Sequence, residues 1–198
     1  MTKAYVFVEG PSDVQFLERL LAPEAAKNVV FVPAGGASYL PSLARSVLVR
    51  RRKPVAVFMD SDSVEPEVIE ERRENTEELI KAAAGNIPVK VIFAVPEIET
   101  LFFSSPEVIE RVLGENVPPE FLALGQRDPT GVLRELANRS HRQWDMKVAL
   151  RSLDAHDLER MRSAPPVREL NNFLLSLPEN DRTEKGKPQE GPAPPTKR

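Results

Sequence analysis

The chain is expected to form an α/β fold, a mainly parallel four-stranded sheet with helices on both faces followed by a helical C-terminal region, and three observations carry that expectation. Short apolar runs alternate with amphipathic helical stretches before residue 100, in the order β-α-β-α-β-α-β that builds right-handed crossovers over a parallel sheet. The third run, residues 55–59 (VAVFM), is continuously apolar and rich in β-branched and aromatic residues, as a strand buried on both faces must be. Beyond residue 100 the patterns are helical only.

Residues 4–8 (AYVFV) read as the first strand, which ends at Glu9 and Gly10. Pro11 and Ser12 then open a helix with Val14, Leu17, Leu20 and Leu21 on one face and Ser12 or Asp13 in the capping region. Residues 28–32 form the second strand, followed by the loop Pro33-Ala34-Gly35-Gly36 and a helix over 38–49. The third strand ends in Asp60-Ser61-Asp62. A long acidic helix over 64–84, closed by Gly85, buries Val68, Ile69, Leu79, Ile80 and Ala83; its glutamates, from Glu67 to Glu78, read as a solvated face. Residues 89–95 (VKVIFAV) form the fourth strand, with Pro96-Glu97-Ile98-Glu99 at its end.

Helices are expected over 106–113, 119–124, 130–138, 145–153 and 166–177, the last with proline in its first turn. The chain therefore divides into a core over 1–103, a helical extension over 104–177 that packs on it, and a tail over 178–198. The tail holds five prolines and no bulky apolar residue, so it cannot offset its ordering entropy and is expected to be disordered.

Composition narrows the function. With 198 residues, 41% hydrophobic and 29% charged, the chain is an ordinary soluble domain, and no apolar run approaches the roughly 18 residues of a membrane span. The N-terminus lacks a secretory pattern, so a cytoplasmic location is expected. The absence of cysteine excludes disulfides, thiolate catalysis and cysteine-ligated metals. A net charge of -3 gives no global attraction to nucleic acid, which leaves local basic patches or metal ions to bind a polyanion. No glycine-rich loop with Lys-Ser/Thr is present for P-loop nucleotide hydrolysis.

Three of the four strands end in acid: Glu9, then Asp60 with Asp62, then Glu97 with Glu99. Ligands of open parallel sheets sit beyond the carboxyl ends of the strands, and neighbouring strands lie about 4.8 Å apart, so these acids can meet on shared ions. Carboxylates crowded together repel unless a cation lies between them, and a divalent metal is the usual solution. The alternative for Asp60-Ser61-Asp62 taken alone is capping of the following helix.

A strand-ending glutamate in VEGPSD, a glycine-containing loop after the second strand and DxD after the third resemble the Toprim domain of topoisomerases, primases and several nucleases. More narrowly, EGPSD at 9–13, PAGG at 33–36, DSD at 60–62 and PEIE at 96–99 resemble the Toprim part of overcoming-lysogenization-defect (OLD) family nucleases and small standalone relatives, over about residues 4–103. The resemblance implies a Toprim-like (Rossmann-like) fold. It implies that Glu9 is a metal ligand or proton-transfer residue, that Asp60 and Asp62 are the Mg²⁺-binding pair, that Asp13 is a further acid of the motif, and that Glu97 or Glu99 lies near a second metal. Glu9, Asp60 and Asp62 are then the catalytic set, with one or two Mg²⁺ or Mn²⁺ ions serving phosphodiester hydrolysis of nucleic acid, DNA before RNA. Large OLD proteins carry an ATPase ahead of the Toprim domain; here such an engine would act in trans. Topoisomerase activity is not expected, since the two tyrosines are Tyr5 inside a strand and Tyr39 near a helix start.

Other candidates have competing structural readings. Arg139, Arg142 and Lys147, around Trp144 in RSHRQWDMK, could line a nucleic-acid path, whereas Trp144 itself reads better as a core anchor. Arg50 to Lys53 suit a helix C-terminus, whose dipole favours cations. Gly35 and Gly36 present amides to a phosphate, or else serve a turn with positive φ. His141 and His156 lack ligand spacing. Two rival functions stand beside the nuclease: a non-catalytic Toprim binding or scaffold subunit, and a phosphotransfer or phosphatase domain in which a strand-ending aspartate accepts phosphate.

Overall fold

A computed structural model describes residues 2–114 and 116–178. The expectation of a disordered tail falls almost wholly outside those residues. Four strands, β1 (Ala4–Val8), β2 (Val29–Pro33), β3 (Val55–Asp60) and β4 (Val89–Ala94), form one all-parallel sheet in the order β2-β1-β3-β4. The sheet is Rossmann-like and the chain belongs to the α/β class. The chain steps from β1 to β2 on one side and then crosses back past β1 to β3 and on to β4, so the strand order reverses between β1 and β3. That crevice is where sheets of this type place their ligands.

The side-chain period of two sorts the strands into two faces. Val6, Val8, Ala56, Phe58, Ile92 and Ala94 enter one apolar cluster; Phe7, Val55, Val57, Met59, Val91 and Phe93 enter the other. The second face is covered by α3 (Leu40–Arg51) and α4 (Pro66–Lys81), through Leu40, Ala44, Leu48 and Ile80. The first is covered by α1 (Pro11–Leu20) together with the helices that follow β4. Both faces of β3 are thus buried, which explains its unbroken apolar run.

The helical extension comprises α5 (Pro106–Leu113), α6 (Pro119–Leu124), α7 (Pro129–Arg139), α8 (Met146–Ser152), α9 (Ala155–Arg162) and α10 (Pro165–Ser176). It shares one continuous core with the sheet and α1: Phe16 meets Phe102 at a centroid distance of 5.2 Å, and Trp144 packs edge-on against Phe102 at 5.3 Å. Trp144 is therefore an anchor of that core. Three short elements go beyond the sequence expectation: α2 (Pro23–Ala26), α9, and a 3-10 helix over Ile98–Ser104. The last matters most, because it brings the PEIE segment back across the end of β3. Arg50 and Arg51 occupy the last turn of α3, where Arg52 closes the helix with a left-handed φ of 49°. This basic run leads into the start of β3, away from its acidic end.

Candidate metal centre

Glu9 follows the last residue of β1, Asp60 ends the neighbouring β3, and Glu97 and Glu99 follow β4 on its far side, so three adjacent strands deliver acids to one edge. One carboxylate oxygen from each of Asp60, Glu97 and Glu99 lies within 4.8 Å of the others, and all three residues are partly buried. Among the described residues this is the group of three or more ligand-type side chains close enough to share an ion. An all-oxygen donor set of this kind suits a hard divalent cation.

Asp60, Glu97 and Glu9 are each oriented by a backbone amide. Ile98 N–H donates to Asp60 Oδ1 at 2.9 Å, Thr130 N–H donates to Glu97 Oε1 at 2.8 Å, and Asp60 N–H donates to Glu9 Oε1 at 3.1 Å. Asp60 so caps the 3-10 helix and Glu97 meets the first turn of α7, where a helix N-terminus favours an anion. Each carboxylate retains a second oxygen. Asp13 Oδ2 accepts Gly10 N–H at 2.8 Å, which makes it the capping-box partner of α1.

The electrostatics are those of a site short of positive charge. Burial, then the charges of Glu9, Glu99 and Asp13, push the Asp60 carboxyl up to about 8. Glu99 is pushed up to about 7 by burial, with Glu97 and Asp13 adding to the shift and Arg134 opposing it. Glu9 is raised by burial against the opposing Asp60 amide, with Asp62 and Asp13 adding repulsion. Asp13 is likewise raised by burial, against the Gly10 amide. Burial and mutual repulsion oppose the joint ionisation of these carboxyls, and a bound cation would offset both.

The two aspartates of DSD part company. Ser61 between them is fully buried and donates its hydroxyl to the Ser63 carbonyl at 2.7 Å. Asp62 takes a left-handed φ of 51°, and its side chain, 70% exposed, pairs with Arg72 at 3.2 Å. Of the acids expected to meet at this edge, Asp60, Glu97 and Glu99 form the crowded set, whereas Asp62, expected beside Asp60, pairs with Arg72. Arg72 also donates to the Ser61 carbonyl, and its charge opposes the rise of the Glu9 carboxyl, so it is a cation in contact with the DSD loop. In the sequence Arg72 is hidden within the charged face of α4. Its signal was the Arg72-Arg73 pair set among glutamates.

The glycine loop also serves a different purpose from the one considered first. Gly35 and Gly36 N–H groups both donate to the Glu9 carbonyl, at 2.9 and 3.0 Å, with φ of 81° and 131°. These amides fix the residue that follows β1 and do not point at a phosphate. Positive φ, in the range that favours glycine, explains the residue choice.

In the other basic cluster, Arg139 pairs with Glu135 at 2.9 Å and stands 4.5 Å over the Phe121 ring. Arg142 donates to the Leu113 carbonyl at 2.9 Å, closing α5, while the Lys147 side chain is exposed at the start of α8. Both histidines are exposed and lie outside the acidic group. Among the described residues no helix is long and apolar enough to cross a membrane.

No protein-family model, curated protein or solved structure matches this chain.

Proposed function

We propose that this protein is a divalent-metal-dependent nuclease of Toprim/OLD type, using Mg²⁺ or Mn²⁺ to hydrolyse phosphodiesters of nucleic acid, with DNA the first substrate to test. The observation that carries the proposal is the meeting of acids from three adjacent strand ends at the reversal of strand order, with Asp60, Glu97 and Glu99 oxygens within 4.8 Å. Asp60 and Glu97, through the oxygens their amide donors leave free, and Glu99 would hold an ion; Glu9 and Asp13 border it. The chemistry such an ion supplies is neutralisation of a phosphodiester's charge and activation of water near neutral pH.

The chain's own residues then have separable tasks. Glu9 holds the end of β3 through the Asp60 amide and, with its raised carboxyl, is the group best placed to exchange a proton beside the reacting phosphate. Arg72, held by Ser61 and Asp62, offers a guanidinium to phosphate at the same edge. Lys147, Arg139 and Arg142 are proposed contacts for more distant phosphates. An ATPase partner in trans and a cytoplasmic setting complete the reading.

A scaffold role is the second reading, favoured by one observation: the Ile98 and Thr130 amides already give Asp60 and Glu97 structural work. Incubation with plasmid, linear DNA and structured RNA, with Mg²⁺, Mn²⁺ or chelator, separates the two. Chelator-sensitive cleavage lost in Asp60→Asn supports the nuclease. Binding without cleavage under either metal leaves the scaffold.

A further inference from the structure

Beside the acidic centre, between β4, the 3-10 helix and the start of α10, lies a cavity of about 590 Å³. That volume falls within the roughly 300–1,000 Å³ of small-ligand sites. Glu97 belongs to both: it lines the cavity and supplies an oxygen to the acidic group. The lining alternates apolar surface from Val95, Ala164 and Pro165 with polar groups from Thr100, Gln126 and Ser163. Thr100 Oγ1 is buried with no hydrogen-bond partner, and Gln126 spends its amide N–H on the Phe103 carbonyl at 3.2 Å, leaving its own carbonyl oxygen to accept. Arg73 and Glu169, 4.0 Å apart, place one cation and one anion on the wall.

A pocket with apolar walls, hydrogen-bonding groups and ionisable lining residues Arg73, Glu97 and Glu169, two acids to one cation, does not suit a phosphate. It suits a flat, neutral, hydrogen-bonding group: a nucleobase. We propose that this cavity receives an unpaired base of the strand whose backbone reaches the acidic centre. The inference rests on the nuclease reading of that centre and gives it a substrate class: single-stranded or frayed ends before fully paired duplex. A base inside a duplex must leave its stack to enter such a pocket, and pairing opposes that. Apolar contact and edge recognition in the pocket reward a base that is already free.

The test uses the full chain and a single-stranded octamer carrying a terminal 2-aminopurine, whose fluorescence changes on leaving solvent, with a blunt hairpin of the same sequence beside it. Ser163→Trp brings a bulky ring to the cavity lining from an exposed position, and Gln126→Ala removes an edge acceptor; circular dichroism melting confirms folding of each. Glu9→Gln, in Mg²⁺, keeps the probe intact. The expected result is saturable binding of the octamer at least about tenfold tighter than of the hairpin, weakened about tenfold by Ser163→Trp and severalfold by Gln126→Ala. Equal binding of octamer and hairpin, no fluorescence change, or no effect of either variant overturns the proposal. Plasmid cleavage by the wild type, run in parallel, reports on the nuclease reading separately: cleavage without a cavity effect removes only this inference, and base capture without cleavage removes only the catalytic one.

Discussion

Glu9 Oε1 accepts the Asp60 backbone N–H at 3.1 Å, joining the ends of β1 and β3 at the reversal of strand order. The contact gives Glu9 two separable duties, an acceptor and a charge. Glu9→Gln keeps an acceptor oxygen and should melt within a few degrees of wild type while losing metal-dependent cleavage. Glu9→Ala leaves the Asp60 amide without its partner and should cost about 1–2 kcal/mol in chemical denaturation. Equal losses of stability for both would show that charge, rather than the hydrogen bond, holds the edge.

Apo stability should fall as pH rises. Asp60 ionises near 3.8 when unfolded and near 8 when folded, and Glu99 shifts in the same direction to about 7. Between these limits the folded chain holds more protons than the unfolded one, so stability present at low pH is lost through the window from about 4 to about 8. With chelator, denaturation at about pH 5.5 should show a protein more stable by roughly 1–3 kcal/mol than at about pH 8. Saturating Mg²⁺ should reverse the trend, since it binds the ionised carboxyls.

The two aspartates of DSD should behave differently when altered. Asp60→Asn keeps an oxygen for the Ile98 amide and relieves repulsion, so apo stability at pH 8 should rise by about 1–3 kcal/mol while metal binding weakens at least tenfold. Asp62→Asn breaks an exposed pair with Arg72 and should change stability by less than about 1 kcal/mol. Isothermal titration and denaturation of both variants check this; indistinguishable metal affinities would return Asp62 to the ligand set.

That contrast marks what could be read without coordinates. The strands were legible because each is a short apolar run, and Glu9, Asp60, Glu97 and Glu99 were legible because they stand where those runs stop. The direction of Asp62 was not: it depends on a single left-handed φ and on a buried Ser61 that no apolar pattern marks. The 3-10 helix over Ile98–Ser104 has no amphipathic period long enough to read, because Ile98, Leu101, Phe102 and Phe103 are all buried within it. Helix α9 carries only Leu158 and Met161 as larger apolar residues in AHDLERMR. Gly35 and Gly36 were visible as a loop, whereas the Glu9 carbonyl as the acceptor for both could come only from the fold.

Arg72 should contribute to substrate binding through charge. Arg72→Gln should weaken nucleic-acid binding in Mg²⁺ and reduce the log-log salt slope by about 0.7–0.9, the value for one phosphate contact. Neutralising Arg139, Arg142 and Lys147 together should reduce it further, with some loss of stability from Arg142, which closes α5. Binding titrations at several salt concentrations report both; a slope unchanged by Arg72→Gln would place the phosphate path away from the DSD loop.

The most direct measurement is a Mn²⁺ titration followed by electron paramagnetic resonance, comparing wild type with Asp60→Asn and Glu99→Gln. Saturable Mn²⁺ binding by wild type, competed by Mg²⁺ and weakened at least about tenfold in each variant, is the result expected if Asp60, Glu97 and Glu99 hold the ion. Binding of equal strength in wild type and both variants, or no saturable binding by the wild type, would contradict a metal centre at this edge.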